Sequence, residues 1–203
     1  MIRLSQQDGL WTVTLDRQDK ANALTAEMLE ELCRIAEAAQ EARALILTGA
    51  GKVFSAGADL DAARAGLATS PLWERLSGAL VALPGLSVAA LNGTVAGGAM
   101  GMVLACDLRV AVPGAKLFYP VMKLGFLPQP SDPARLAALA GPSRARMILM
   151  AGQKIPVEEA LTWGLIDRIS ETPVQEAQAL AADTLSASVA HATAIKALIP
   201  SAR

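Results

Sequence analysis

The sequence predicts an α/β fold in which helices pack on a layered, mostly parallel sheet. Short apolar runs of strand length alternate with helical patterns along the chain, as in α/β proteins. Hydrophobic residues make up 53% of the 203 residues and aromatic residues only 3%, a balance typical of helices packed closely on a sheet. A strand-strand-helix unit recurs loosely at 2–40, 44–65 and 86–105. These repeats fit a spiral of ββα turns, although a doubly wound sheet would give a similar pattern.

The elements follow from periodicity and turn signals. Ile2–Gln7 and Leu10–Leu15 alternate apolar and polar residues around Asp8-Gly9, which predicts a hairpin. Thr25 can cap the helix that follows. Further strands are predicted at 44–48, 53–54, 86–91, 108–112, 116–118 and 164–169. Helices are predicted at 25–40, 59–65, 71–83, 97–105, 134–140, 142–151, 156–161 and 173–198.

Composition excludes several classes of protein. The net charge is −1 and no basic block is present, which argues against nucleic-acid binding. Cys33 and Cys106 form neither a disulfide framework nor a metal-ligand cluster, so both are expected in the core and no metal is predicted. The first residues do not resemble a signal peptide, and no apolar run reaches the roughly 18 residues of a membrane span. We therefore expect a cytoplasmic protein with no membrane partner.

Two glycine-containing turns do not fit the common phosphate motifs. A P-loop reading of the turn ending in Gly51-Lys52 requires Gly and Ser/Thr where the chain has Ile46 and Val53. The glycines at 98 and 101 resemble a degraded dinucleotide fingerprint, but its acidic partner is absent from 119–122.

Both turns instead have the composition of an oxyanion hole. Segments 54–60 and 92–99 each pass from strand to helix through small residues, which leaves backbone N–H groups exposed at a helix start. Two such amides directed at one point stabilise a developing oxyanion. The alternative is that these glycines only permit tight turns.

The order of the motifs along the chain resembles the crotonase (enoyl-CoA hydratase/isomerase) superfamily. The matching segments are 22–24, 44–60, 89–93, 97–98, 105–107, 123–125, 159–160 and 164–165. The resemblance implies a ββα spiral core over residues 1–170 and a truncated helical tail over 171–203. It also implies an acyl-CoA substrate, with coenzyme A as part of that substrate and no permanently bound cofactor, and a homotrimer or hexamer.

Position by position, the resemblance also implies the site. Ala58 and Gly98 match the two oxyanion-hole amides. The residues that match the CoA-contacting segments are Lys20 and Ala21, at the phosphates or pantetheine, and Ala56, Asp59 and Leu60, at the adenine end. Lys20 fits a solvated loop lysine equally well.

The chain departs from the family at its acids. Gly101 and Val121 occupy the positions of the two hydratase glutamates, and Gln129 occupies that of an isomerase acid. Hydration needs such groups to activate water and protonate carbon. Asp132 is the candidate base that remains, although Asp132 followed by Pro133 is more typical of a helix N-cap. For the other polar residues nearby, we expect Tyr119 in the core, Lys123, Asp61 and Glu74 in solvent, and His191 exposed.

Two functions are therefore compatible with the sequence. The first is a crotonase-type enzyme that forms an enolate from an acyl-CoA thioester and for which ordinary hydration is disfavoured. The second is an acyl-CoA-binding homologue that has lost catalysis.

Overall fold

The computed structural model describes residues 1–199, which form ten strands and ten α-helices. The strands are β1 (Ile2–Gln7), β2 (Leu10–Leu15), β3 (Ala44–Gly49), β4 (Val53–Ser55), β5 (Leu86–Leu91), β6 (Thr94–Ala96), β7 (Leu108–Ala111), β8 (Lys116–Phe118), β9 (Ile155–Pro156) and β10 (Arg168–Ile169). The helices are α1 (Ala26–Ala38), α2 (Leu60–Arg64), α3 (Leu72–Val81), α4 (Ala99–Ala105), α5 (Val121–Leu124), α6 (Asp132–Ala140), α7 (Pro142–Leu149), α8 (Val157–Thr162), α9 (Pro173–Ser186) and α10 (Val189–Leu198).

The chain winds as a spiral between two sheets. The larger sheet has the order β1-β2-β3-β5-β7-β10, and the smaller has the order β4-β6-β8-β9. In the pairs β3/β4, β5/β6 and β7/β8 the first strand lies in the larger sheet, the second lies in the smaller sheet, and a helix follows. All strand pairs are parallel except β1/β2 and β8/β9. The predicted ββα spiral is therefore confirmed, and a doubly wound single sheet is ruled out.

Local signals account for the first unit. Asp8 and Gly9 both have positive φ (49° and 84°), as the predicted hairpin turn requires, and Gln7 pairs with Leu10 across it. The side chain of Thr25 accepts a hydrogen bond from the Met28 amide at 3.3 Å, so the predicted cap of α1 is confirmed.

The central strands of the larger sheet, β3, β5 and β7, are buried on both faces. β3 is a continuous apolar run in which residues 44–48 are buried, the pattern expected of a parallel strand covered on both sides. On one face lies the main core, built with α1, α3 and α4. On the other, Ala177 of α9 packs against Ile46, Val88 and Val110. Small alanines let α9 lie close to the strands.

Several elements differ from the prediction, including the short α5 and β9, which were not predicted. Of the strand expected at 164–169, only β10 forms, because Leu165 closes the turn after α8 (N–H to Ala160 O, 3.0 Å) and packs in the main core. β6 was not predicted, because three residues are too few to show a period. The helix expected at 173–198 is two helices, since Ser188 caps a second one by accepting from the His191 amide. Within residues 1–199, none of the helices combines the length and apolar composition needed to cross a bilayer.

Candidate active site

The Ala58 amide is left unpaired by the way its segment joins the chain beside it. The Leu24 N–H donates to Gly57 O and the Asp59 N–H donates to Leu24 O, both at 2.8 Å. In this parallel bridge, the residue between the two bonded groups directs its own N–H to the opposite side. Ala58 is that residue. Its N–H therefore faces away from Leu24, on the side where β6 continues the sheet.

The Gly98 amide begins α4 directly beside that turn. Gly97 has a φ of 57° and donates to Phe118 O at 3.1 Å, which fixes the turn after β6. Gly57, with a φ of 89°, lies so close that an added Cβ would be 2.8 Å from Ala96 O. The two turns therefore touch through backbone. Within residues 1–199, neither the Ala58 N–H nor the Gly98 N–H donates a hydrogen bond to a protein acceptor.

Trp73 of α3 covers Gly98. A Cβ added at Gly98 would lie 3.1–3.2 Å from three consecutive ring atoms, Cη2, Cζ3 and Cε3, so the ring presents its face to this glycine. The indole N–H donates to Leu67 O at 2.7 Å and holds the ring in place. Sequence reasoning missed Trp73; a bulky residue on the apolar face of a helix, in a chain with 3% aromatics, was the available signal.

Asp132 fills the space that a side chain at position 101 would enter. A Cβ added at Gly101 would lie 2.8 Å from Asp132 Oδ1 and 3.0 Å from Oδ2. Position 101 is one helical turn beyond Gly98 on the same face of α4. The fold thus brings a carboxylate, from α6, into the space beside position 101 of α4.

The N-cap interpretation of Asp132 is wrong. Ser131 occupies the N-cap position of α6, Asp132 is already helical, and no side chain caps this end in the usual local way. The Asp132 side chain is instead 1% exposed and accepts a hydrogen bond to Oδ2 from the Tyr119 hydroxyl at 3.0 Å. Local sequence favours a cap, whereas packing of α6 against α4 and the hydrogen bond from Tyr119 turn the carboxylate inward.

The Asp132 carboxylate is electrostatically strained. Oδ1 has no hydrogen-bond partner, and the nearest cation, Arg135 Nη1, is 3.9 Å away and itself unpaired. Burial raises the pKa of Asp132 to about 7, opposed by the Tyr119 hydrogen bond and the Arg135 charge and reinforced by the charge of Glu74. A pKa near neutrality suits a group that both takes up and returns a proton.

Tyr119 and Glu74 both accept hydrogen bonds from the segment 129–131 that leads into α6. Tyr119 is buried as expected, but its hydroxyl also accepts from the Gln129 amide at 3.3 Å, and burial raises its pKa. The expectation that Glu74 is solvated was wrong: its carboxylate accepts from the amide and the hydroxyl of Ser131. The Glu74 contact joins residues 57 positions apart, which no local pattern reveals.

The residues assigned to the CoA moiety form one surface beside Ala58. The Ala56 N–H donates to Ala21 O at 3.0 Å, which places segments 20–21 and 56–60 next to each other. Lys20, Ala56 and Leu60 are exposed there. The Asp59 carboxylate is occupied: it caps α2 and accepts from Arg17 at 2.8 Å, and this hydrogen bond lowers its pKa. The Asp59 backbone is also paired within the protein, since its N–H donates to Leu24 O and its carbonyl accepts from the Ala63 N–H at 2.7 Å.

The remaining candidates lie outside this cluster. Val121 is buried and apolar, so it supplies no acid. Lys123, Asp61 and His191 are exposed, as expected. Cys33 and Cys106 are buried free thiols, also as expected.

Comparison with known proteins identifies the family. The family model for enoyl-CoA hydratase/isomerase matches residues 5–202. "Probable enoyl-CoA hydratase echA6" of Mycobacterium tuberculosis is 35% identical over 185 residues, which is 90% of this chain and 75% of that protein. "4-chlorobenzoyl coenzyme A dehalogenase-2" of an Arthrobacter species is 31% identical, covering 94% of this chain and 74% of that protein.

A solved structure shows the same architecture. The crystal structure of an enoyl-CoA hydratase from Bacillus anthracis superposes with a TM-score of 0.88 at 29% identity, over 96% of this chain and 80% of that one. The ββα spiral, the two facing turns and these matches agree, and the chain belongs to the enoyl-CoA hydratase/isomerase family.

Proposed function

We propose that the protein forms an enolate from an acyl-CoA thioester, with Ala58 and Gly98 as the oxyanion hole and Asp132 as the base. The observation that carries the proposal is that the Asp132 carboxylate fills the space beside Gly101, one helical turn from the free amide of Gly98. The CoA thioester follows from membership of the family and from the substrates that the names of the relatives specify.

In the proposed mechanism, the thioester oxygen lies between the amides of Ala58 and Gly98. Charge that develops on this oxygen meets two fixed donors, each typically worth about 100- to 1,000-fold in rate. Asp132 Oδ1 is the oxygen without a partner, so it is the atom that accepts the α-proton. Tyr119 keeps its hydrogen bond to Oδ2 and orients the carboxylate.

A single base favours double-bond isomerisation over hydration. Among residues 1–199, Asp132 is the one fully buried carboxylate, and Val121 supplies no second acid. One carboxylate can remove the α-proton of a β,γ-unsaturated acyl thioester and return it to the γ-carbon. The α C–H bond breaks, a γ C–H bond forms, and the double bond moves into conjugation with the carbonyl. Hydration would require a second group to activate water.

The rate should rise with pH through about 7. Asp132 acts as a base only when ionised, and burial raises its pKa to about 7, so kcat/KM should increase tenfold per pH unit below that value and level off above it. The measurement is the pH dependence of isomerisation of a β,γ-unsaturated acyl-CoA, followed by absorbance of the conjugated product. A rate that is flat between pH 5 and pH 8 would exclude Asp132 as the base.

A non-catalytic acyl-CoA-binding role is the second candidate. Gly101 and Val121 favour it, because neither supplies a carboxylate, and the carboxylate that remains, Asp132, is only 1% exposed. Calorimetric titration with acyl-CoA thioesters and with free CoA, followed by product analysis, separates the two functions. Thioester binding without any product would support the binding role.

A further inference from the structure

The first turn of α3 contacts both halves of the proposed site. Trp73 packs its ring on Gly98, where one oxyanion amide lies. The next residue, Glu74, reaches the start of α6: its Oε1 accepts from the Ser131 N–H at 2.9 Å, and its Oε2 accepts from the Ser131 hydroxyl at 2.7 Å. A second contact runs alongside, since Gln129 Nε2 donates to Ala68 O at 3.1 Å. We call the Glu74–Ser131 pair the clamp.

The clamp replaces the local cap that α6 lacks. The amides of a helix's first turn have no partner within the helix, and here no side chain from the capping segment supplies one. Glu74, from another helix, instead accepts from the N–H of the N-cap residue Ser131, and its charge makes this hydrogen bond stronger than one to a neutral acceptor. Ser131 directly precedes Asp132, so the position of the Asp132 carboxylate follows that of the clamped residue.

The clamp also places charge beside Asp132. The charged and titratable groups that act on Asp132 are Tyr119 after β8, Arg135 on α6 and Glu74 on α3. Glu74 is the only anion among them, and its charge raises the pKa of Asp132.

We propose that Glu74 is a positioning residue for the base. Its two hydrogen bonds with Ser131 hold Asp132 beside Gly101 and at a fixed distance from the oxyanion amides. The inference rests on the proposed function, in that Asp132 is taken as the base. It adds a residue that touches neither the thioester nor the transferred proton.

Two substitutions at Glu74 separate geometry from charge. Glu74→Ala removes both acceptors, so we expect kcat for isomerisation to fall about 100-fold, as for a reacting group displaced by about 1 Å, with little change in KM. Glu74→Gln keeps an acceptor for the Ser131 amide and a partner for its hydroxyl but removes the charge. It should retain most of kcat and move the inflection of the pH profile to lower pH, because an anion that raises the pKa of Asp132 is gone.

The matched control is Glu37→Gln. Glu37 also accepts two hydrogen bonds from α3, through Arg75 at 2.6 and 2.7 Å, but it lies on α1 and is exposed. We expect it to change neither kcat nor the pH profile. If Glu74→Ala behaves like Glu37→Gln in both respects, the clamp has no positioning role.

The effect of the clamp on the start of α6 can also be measured without turnover, independently of the proposed reaction. Hydrogen–deuterium exchange of the peptide spanning 126–136 should be faster in Glu74→Ala than in the wild type and unchanged in Glu37→Gln. Unchanged exchange in both variants would overturn the clamp. Faster exchange in Glu74→Ala would support the clamp. If Asp132→Asn is then fully active, the assignment of Asp132 as the base is overturned and the clamp is not.

Discussion

Replacing Asp132 with Asn should lower the rate of α-proton removal by about 100- to 10,000-fold, the usual contribution of a positioned base. The amide keeps the shape of the carboxylate and can still accept from the Tyr119 hydroxyl, so the packing around position 132 should be preserved. Asn cannot take a proton at Oδ1. The measurement is kcat/KM for isomerisation, with Asp61→Asn as the control, since Asp61 is an exposed carboxylate on α2. Full activity in Asp132→Asn would show that the base is another group.

The same variant should be more stable than the wild type at high pH. The pKa of Asp132 rises from its ordinary value of 3.8 to about 7 in the folded state, so the folded chain holds this proton more tightly than the unfolded chain does. Stability from this group is therefore present below pH 3.8 and is lost as pH rises toward 7. Above pH 7 the buried charge costs up to about 4 kcal/mol, which Asn removes. Denaturant unfolding at pH 5 and pH 8 would detect the difference.

A gain in stability together with a loss of activity would fit a functional site. An unpaired, buried carboxylate oxygen is expensive to maintain, and natural sites keep such groups when chemistry requires them. Equal stability of the two chains at high pH would mean that the charge of Asp132 is well compensated, contrary to the unpaired Oδ1.

Replacing Gly98 with Ala should lower the rate by up to about 100- to 1,000-fold, which is the cost of losing one oxyanion donor completely, because the variant keeps the N–H but displaces it. The new methyl group would lie 3.1 Å from the Trp73 ring, whose N–H is held by Leu67 O, so we expect the start of α4 to shift by a few tenths of an ångström and to carry the Gly98 amide with it. The readout is kcat/KM for the same isomerisation. Adding Trp73→Leu to this variant should recover part of the rate, because the smaller side chain leaves room for the methyl group.

Gly78→Ala is the matched control for that substitution. Gly78 lies on α3, like Trp73, but a Cβ there meets no atom within 4 Å. Alanine in a helix interior is favoured over glycine by about 0.5–1 kcal/mol, so this variant should be slightly more stable and fully active. A Gly98→Ala variant as active as Gly78→Ala would contradict the assignment of the oxyanion hole.

The oxyanion hole could be predicted from the sequence because it consists of backbone N–H groups. Small residues between a strand and a helix leave few options for the N–H groups, so Ala58 and Gly98 could be assigned as candidates from local pattern together with the family resemblance. The longer strands were equally easy to predict, since residues 44–47 of β3 and 88–91 of β5 are continuous apolar runs. Short strands such as β6 carried too little pattern to detect.

The environment of Asp132 could not be predicted, because it depends on contacts distant in sequence. Ser131, Asp132 and Pro133 fit a helix start locally, and only the packing of α6 beside Tyr119 and Gly101 turns the carboxylate inward. Trp73 and Glu74 are two adjacent residues on one helix, and what they touch is set by the fold.

The most direct test of the central claim is deuterium incorporation from heavy water into the α-carbon of a bound acyl-CoA, followed by mass spectrometry. We expect incorporation with wild-type protein and its near loss with Asp132→Asn, while both proteins still bind the thioester. Binding by wild-type protein without any incorporation would contradict enolate formation and leave the binding role. Failure to bind any acyl-CoA would contradict the assignment of Ala58 and Gly98 themselves.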